Sequence, residues 1–176
     1  MISNVTVPDD ISFEQAIQLT QELLQRWEPG KISEVELEQW MTDLMKTQNG
    51  ARGFFVTALS DARNIFDPPT PALIKGLKSS PARVGELMTK NLAMSSAMII
   101  HHQRHQDLDL AQGSENVRSR SQQLIQALNL PVLHDQLQQL RDSIVTGTGS
   151  YTDFLQRWGY DPEQKAAILQ ALDPLI

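Results

Sequence analysis

The sequence predicts an all-α fold, a single helical bundle of about seven or eight helices. Apolar residues recur every three or four positions through most of the chain, which is the spacing of one-sided helices. Capping residues, prolines and glycines separate these segments, and no alternating β pattern of useful length is present. We therefore assign residues 12–176 to one all-α domain, preceded by a flexible N-terminal arm at residues 1–11.

The first three helices are predicted from their caps and stop signals. A hydroxyl residue followed three positions later by Glu or Gln forms a capping box, in which each side chain satisfies a free backbone N–H of the other. Such boxes open the first two helices, at Ser12 and Ser33. The Pro-Gly pair at 29–30 and the Asn-Gly pair at 49–50 should end these helices, and a third helix is expected at about 52–66.

A Pro-rich internal turn at 67–71 follows these helices. Its three prolines remove backbone donors and fix φ, so the segment does not fit a helix interior. A helix of about two turns should follow at 72–78. Ser80 and Pro81 combine a hydroxyl cap with a proline at the first helical position, and they predict a long helix that runs past residue 100.

The remainder of the chain is predicted to contain four further helices. Breaks are expected at 112–114 and at the glycine-rich joint 146–149, because glycine and short polar residues interrupt helical patterns. The predicted helix starts are Ser114, Pro131, Ser150 and Asp161.

A short motif, Leu-Gln-Arg-Trp, occurs at 24–27 and again at 155–158. Each copy precedes a predicted helix break and a new helix. Two four-residue matches do not establish a repeat family, which needs a fixed period and several copies. We interpret Trp27 and Trp158 as side chains that plug two helix–turn–helix corners.

Composition limits the classes of function. The formal net charge of -6 argues against a nucleic-acid backbone or an anionic membrane as the main partner. The absence of cysteine excludes disulfides, iron–sulfur clusters, thiolate zinc sites and a thiol nucleophile. The longest uncharged apolar run, 92–100, is short of the roughly twenty residues of a membrane span. With no secretory signal at the N-terminus, we expect a cytoplasmic protein that binds neither nucleic acid nor membrane.

The most informative stretch for chemistry follows that uncharged run. Three of the four histidines, His101, His102 and His105, come directly after it, together with Asp109. If the helix continues unbroken, His102, His105 and Asp109 extend its buried stripe. The i,i+4 pairs His101/His105 and His105/Asp109 have the spacing to bind one divalent metal ion, such as zinc, iron, nickel or manganese. Histidines near a helix C-terminus also offset the helix dipole, so a purely structural role stays open.

A His-Asp pair occurs some thirty residues later, at His134 and Asp135. The order His, His-Asp, Asp on a helical chain resembles the HD phosphohydrolase family. The resemblance implies a metal-activated water that attacks a phosphate ester. The chain departs from the family after the pair, where Gln and Leu replace the usual apolar residue and glycine. The resemblance implies a set of metal ligands in chain order. The first ligand is His102 or His105, the His-Asp pair is His134 and Asp135, and the last ligand is Asp142 or Asp153.

The leading functional hypothesis is a non-catalytic interaction or regulatory protein that acts through a helical surface. The sequence has no complete catalytic constellation and no cofactor fingerprint, so we expect no cofactor. The arm at 1–11 and the turn at 67–71 are segments that a partner could order on binding. We expect a protein partner or self-association. A metal-binding helical protein, with or without phosphohydrolase activity, is the alternative.

Overall fold

The computed structural model describes residues 6–27 and 31–176 of the chain. In these residues the protein forms nine α-helices, one short 3₁₀ helix and no strand, which confirms the all-α prediction. None of the helices in the described part is both long and apolar enough to cross a membrane. The helices are α1 (Phe13–Gln25), α2 (Glu34–Met45), α3 (Gln48–Ala58), α4 (Pro71–Leu77), α5 (Pro81–Arg104), α6 (Leu108–Leu128), α7 (Pro131–Thr146), α8 (Thr152–Trp158) and α9 (Pro162–Leu172), and the 3₁₀ helix is Asp173–Leu175.

The chain divides into two compact units, residues 1–84 and residues 85–176. The boundary lies within α5, not at the Pro-rich turn. The assignment of one domain from residue 12 onward stays a prediction. Two expectations, the first five residues of the arm and the stop at 29–30, lie outside the described residues. Within the described part of the arm, Ile11 is buried, and its N–H donates to the carbonyl of Pro8 at 3.2 Å.

The first unit contains two very close helix contacts, α1 with α3 and α2 with α4. A Cβ added to Gly53 would lie 2.4 Å from the Cβ of Ala16. A Cβ added to Gly76 would lie 2.3 Å from the Cβ of Met41. Folded proteins do not tolerate such distances between carbon atoms. Glycine is therefore required at both positions by the approach of the neighbouring helix.

Two expectations about helix ends in the first unit are wrong. The pair at 49–50 lies in the first turn of α3, because Thr47 caps that helix by accepting a hydrogen bond from the N–H three residues later. The third helix ends at Ala58, well short of residue 66. In the chain that follows, the side chains of Asp61 and Asn64 accept hydrogen bonds from backbone N–H groups two residues on. Such local bonds replace those of a continuing helix.

In the second unit, α6 is one continuous helix, and the predicted break at 112–114 is wrong. Asp107 caps α6, with its carboxylate accepting a hydrogen bond from the N–H of Leu110 at 3.2 Å. The chain turns one residue earlier, at Gln106, which has a left-handed φ of 57°. Gly113 lies in the helix interior with open space around it, so it serves neither as a stop nor as a close contact.

The last three α-helices follow the predicted order with one correction. Pro131 begins α7 as expected, and Asp161 begins α9 with a capping box completed by Gln164. Ser150 does not cap α8, because the helix begins after Tyr151 and has no side-chain cap. Burial of Tyr151 instead fixes this end of α8, and α7 packs against both α8 and α9.

Candidate functional site

The predicted histidine cluster lies at the C-terminal end of α5, where His101 and His105 are exposed and His102 is half-buried. The Nδ1–H of His105 donates to the carbonyl oxygen of His101 at 2.8 Å. The centroids of these two rings are 4.4 Å apart. Because the last carbonyls of a helix lack intrahelical donors, this bond gives His105 a part in ending α5.

Asp109 does not extend this cluster, and the expectation of an unbroken buried stripe is wrong. α5 ends at Arg104, and the left-handed backbone at Gln106 turns the chain before α6 begins. Asp109 is exposed in the first turn of α6, where a carboxylate is favoured by the positive end of the helix dipole. The turn therefore removes Asp109 from the helical register of the histidines.

The His-Asp pair lies near the start of α7, where His134 and Asp135 are both exposed. His134 borders a small hollow of about 210 Å³ lined mainly by apolar side chains. Within residues 6–27 and 31–176, no three His, Cys, Asp or Glu side chains are grouped so that they could hold a metal ion. A metal site at His101, His102, His105, Asp109, His134 and Asp135, with zinc, iron, nickel or manganese, stays a prediction.

Charged hydrogen bonds tie the end of α5 to the start of α9. The guanidinium of Arg104 donates to the carboxylate of Asp161 at 2.5 Å and also to Glu163. These bonds from Arg104 are the main reason why the pKa of Asp161 is lowered to about 2. Asp161 also accepts a hydrogen bond from the N–H of Gln164 and so caps α9. This corner of the second unit is thus held together by charge.

A larger cleft of about 390 Å³ lies between α5, α7 and α8, and all the residues that line it belong to the second unit. Its volume falls in the range of roughly 300–1,000 Å³ that is typical of ligand pockets. Glu86 and Lys90 of α5 form one side, and Gln136 of α7 forms another. Tyr151 and Phe154 supply aromatic surface. The cleft thus combines apolar surface with charged and amide groups.

Several polar groups of the cleft are already bonded to each other. The ammonium of Lys90 is 2.5 Å from a carboxylate oxygen of Glu86 and 5.8 Å from the centroid of the Phe154 ring. The hydroxyl of Tyr151 donates to the side-chain oxygen of Gln136. Burial raises the pKa of Tyr151 to about 12, so this hydroxyl stays protonated at neutral pH. These contacts fix the walls of the cleft.

α8 presents a surface beside the cleft, which we call the α8 face. It consists of the half-buried Phe154 and three exposed residues, Asp153, Arg157 and Trp158. At 100° per residue they fall within about 140° of the helical wheel. Asp153, Phe154 and Arg157 also line the cleft.

Trp158 does not plug the corner after α8, contrary to the sequence interpretation. Its side chain is 53% exposed, whereas Leu155 and Tyr160 are buried. Leu155 and Tyr160 therefore provide the apolar contacts at this corner. The corresponding Trp27 is half-buried.

The charged members of the α8 face are unpaired within the described part of the chain. Asp153 and Arg157 lie one helical turn apart, at the i,i+4 spacing that often forms an ion pair. Neither side chain forms a hydrogen bond or ion pair with any residue of 6–27 or 31–176. The sequence indicated Asp153 as a capping partner of Ser150 and as a last ligand in the HD resemblance, but not as part of a binding surface. The spacing 153, 154, 157, 158 was the signal that could have revealed the face.

The family model described as uncharacterised conserved protein UCP020893 matches residues 12–175. The chain belongs to this family. The match begins at Ser12, the cap of α1, and extends to the 3₁₀ helix, so the cleft and the α8 face lie within the matched region. No curated protein and no solved structure matches the chain.

Proposed function

We propose that this member of the family is a non-catalytic interaction protein that binds another protein molecule through the α8 face. The observation that carries the proposal is the 53% exposure of Trp158, on a helix that borders a cleft. Tryptophan and arginine are the residues most enriched among those that dominate binding energy at protein interfaces. Trp158 and the unpaired Arg157 are neighbours on this face.

The attachment of α8 to the second unit supports this role. The buried Tyr151 lies just before the helix, and its N–H donates to the hydroxyl of Ser143 on α7 at 3.1 Å. Leu155 is buried on the opposite side from Asp153. A surface that is fixed before binding loses less conformational entropy when a partner is bound. The α8 face therefore needs little ordering to present its side chains.

The polar groups of the cleft support recognition more than proton transfer. Lys90 is paired with Glu86, and Tyr151 is bonded to Gln136. With a pKa raised to about 12 by burial, Tyr151 is poorly matched to acid–base work at neutral pH. The cysteine-free composition supports a reducing compartment, and we propose that the protein acts in the cytoplasm.

Affinity capture from an extract of the native host tests the proposal. The full chain is immobilised as wild type, as Trp158→Ser, and as Leu110→Ser, the matched control. Leu110 is also 53% exposed but lies at the start of α6, a helix that contributes no residue to the lining of the cleft. We expect the immobilised wild type and L110S to capture the same protein, which can be another copy of this chain. W158S should not capture it. Equal retention by W158S, or a robust metal-dependent activity with nothing retained, would contradict the proposal.

A further inference from the structure

We infer that the α8 face binds a second copy of this chain, with the two α8 helices antiparallel about a two-fold axis. This inference rests on the proposed function and adds the identity of the partner. In such an interface the same surface is used by both copies, so that each contact occurs twice.

The charges of the α8 face fit this symmetry. Asp153 precedes Arg157 by one turn on the same helix, and neither is paired with a described residue. Two antiparallel copies that place residue 153 opposite residue 157 bring each carboxylate to the guanidinium of the other copy. One face thus supplies both halves of two ion pairs. Such pairs fix the register and direction of the helices more than they add affinity.

The balance of charge also favours a second copy. The chain has a net charge of -6, so two copies repel each other over most of their surfaces. At the α8 face the charges of Asp153 and Arg157 cancel, and at the neighbouring cleft wall those of Glu86 and Lys90 cancel. A face with no net charge lets like molecules approach there. It offers no net attraction to a strongly acidic or strongly basic partner.

The aromatic residues supply the apolar part of the contact. In the register that pairs 153 with 157, Trp158 lies level with the backbone of residue 152 of the other copy, next to Tyr151, which lines the cleft. Association would cover the exposed indole and the half-buried Phe154. Aromatic side chains bury roughly 150–250 Å² each and dominate the energetics of many interfaces. Burial of these rings drives association, and the charge pairs align the two helices.

Sedimentation velocity on the full chain over a range of concentrations tests the inference by charge reversal. By symmetry, D153R and R157D each create two like-charge contacts, so we expect each to weaken the dimer more than about tenfold. An equimolar mixture of D153R and R157D should form a heterodimer, because one copy then presents two cations and the other two anions. The double variant D153R/R157D should dimerise as wild type does.

D109R is the matched control. Asp109 and Asp153 are both exposed and both the second residue of their helices, so the two reversals perturb a helix dipole in the same way. We expect D109R to dimerise like wild type. If D153R and R157D are monomeric only because α8 is disrupted, neither the mixture nor the double variant will recover association, and the inference is overturned.

Other results also overturn the inference. A wild-type chain that stays monomeric, or single reversals that dimerise normally, would exclude the antiparallel α8 contact. A monomeric wild type that still captures a different protein in a Trp158-dependent way would overturn this inference and leave the proposed function standing. If the wild type shows no Trp158-dependent binding to itself or to another protein, both the dimer and the proposed function are rejected.

Discussion

The two compact units differ in how they use their distinctive residues. In the first unit, Gly53 and Gly76 allow neighbouring helices to approach closely, and Phe54 is fully buried against Phe55 and Phe66. In the second unit, a tryptophan and an unpaired arginine are exposed beside a cleft. The comparison teaches that the first unit uses its unusual residues for packing, whereas the second leaves some of them available for contact.

The largest difference is expected between two aromatic residues, one from each unit. Phe54→Ala removes a buried ring and should lower the free energy of unfolding by about 3–5 kcal/mol. Trp158→Ala removes a larger but exposed side chain, and at protein concentrations where the chain is monomeric it should change the free energy of unfolding by less than about 0.5 kcal/mol. Urea unfolding followed by far-ultraviolet circular dichroism measures both. A destabilisation by W158A similar to that of F54A would show that Trp158 serves packing.

A smaller difference is expected between helical glycines of the two units. In Gly53→Ala the new methyl group would collide with Ala16, so we expect a loss of about 1–3 kcal/mol in the free energy of unfolding. In Gly85→Ala the nearest atom, the Cα of Leu133, is 3.5 Å away, an ordinary contact. The better helix propensity of alanine should then stabilise the protein by up to about 1 kcal/mol. Equal urea midpoints for the two variants would contradict the packing difference.

The smallest effect concerns the charged corner of the second unit. Hydrogen bonds from Arg104 lower the pKa of Asp161 from its usual 3.8 to about 2, so the folded chain binds fewer protons than the unfolded chain between these values. The resulting stability is complete above pH 3.8 and is lost as the pH falls toward 2. Asp161→Asn keeps a capping oxygen but removes the charge. We expect lower stability at neutral pH and a smaller loss on acidification.

Acid titrations of unfolding, followed by circular dichroism, compare D161N with wild type and with Asp109→Asn. Asp109 is an exposed carboxylate with no ion pair in the described part of the chain. D109N should therefore keep the acid response of wild type. Identical acid responses of D161N and wild type would mean that the Arg104–Asp161 contact contributes no pH-dependent stability.

The helix starts with a capping box could be predicted from the sequence because their signals are local, whereas the predicted starts at Ser114 and Ser150 are wrong. Side chains at Ser12, Ser33 and Asp161 bond to backbone groups within three residues, and the structure contains all three capping boxes. Glycine stops were less informative. Gly50 lies in the first turn of α3, and a Cβ there would come within 2.2 Å of the backbone oxygen of Leu44, so this glycine serves a close approach and not a helix stop. A Cβ added to Gly113 would have no heavy atom within 4 Å, and α6 continues through this residue.

The candidate site was harder to predict because it depends on which side chains are exposed in the folded chain. The sequence favoured His101, His105 and Asp109, but their register relied on a helix that in fact ends before Gln106. Nothing in the sequence marks Gln106 as a left-handed residue. The α8 face was missed because the exposure of Trp158 depends on which other apolar side chains fill the corner, and only folding determines that.

Hydroxyl-radical footprinting of the full chain, at dilute and concentrated conditions, tests the central claim most directly. It compares oxidation of Trp158 on the α8 face with that of Leu110 at the start of α6, two side chains of equal exposure. We predict that oxidation of Trp158 falls as the chain associates, while oxidation of Leu110 and of the neighbouring His105 is unchanged. Unchanged oxidation of Trp158, or protection confined to Leu110 and His105, would contradict the assignment of the binding surface to α8.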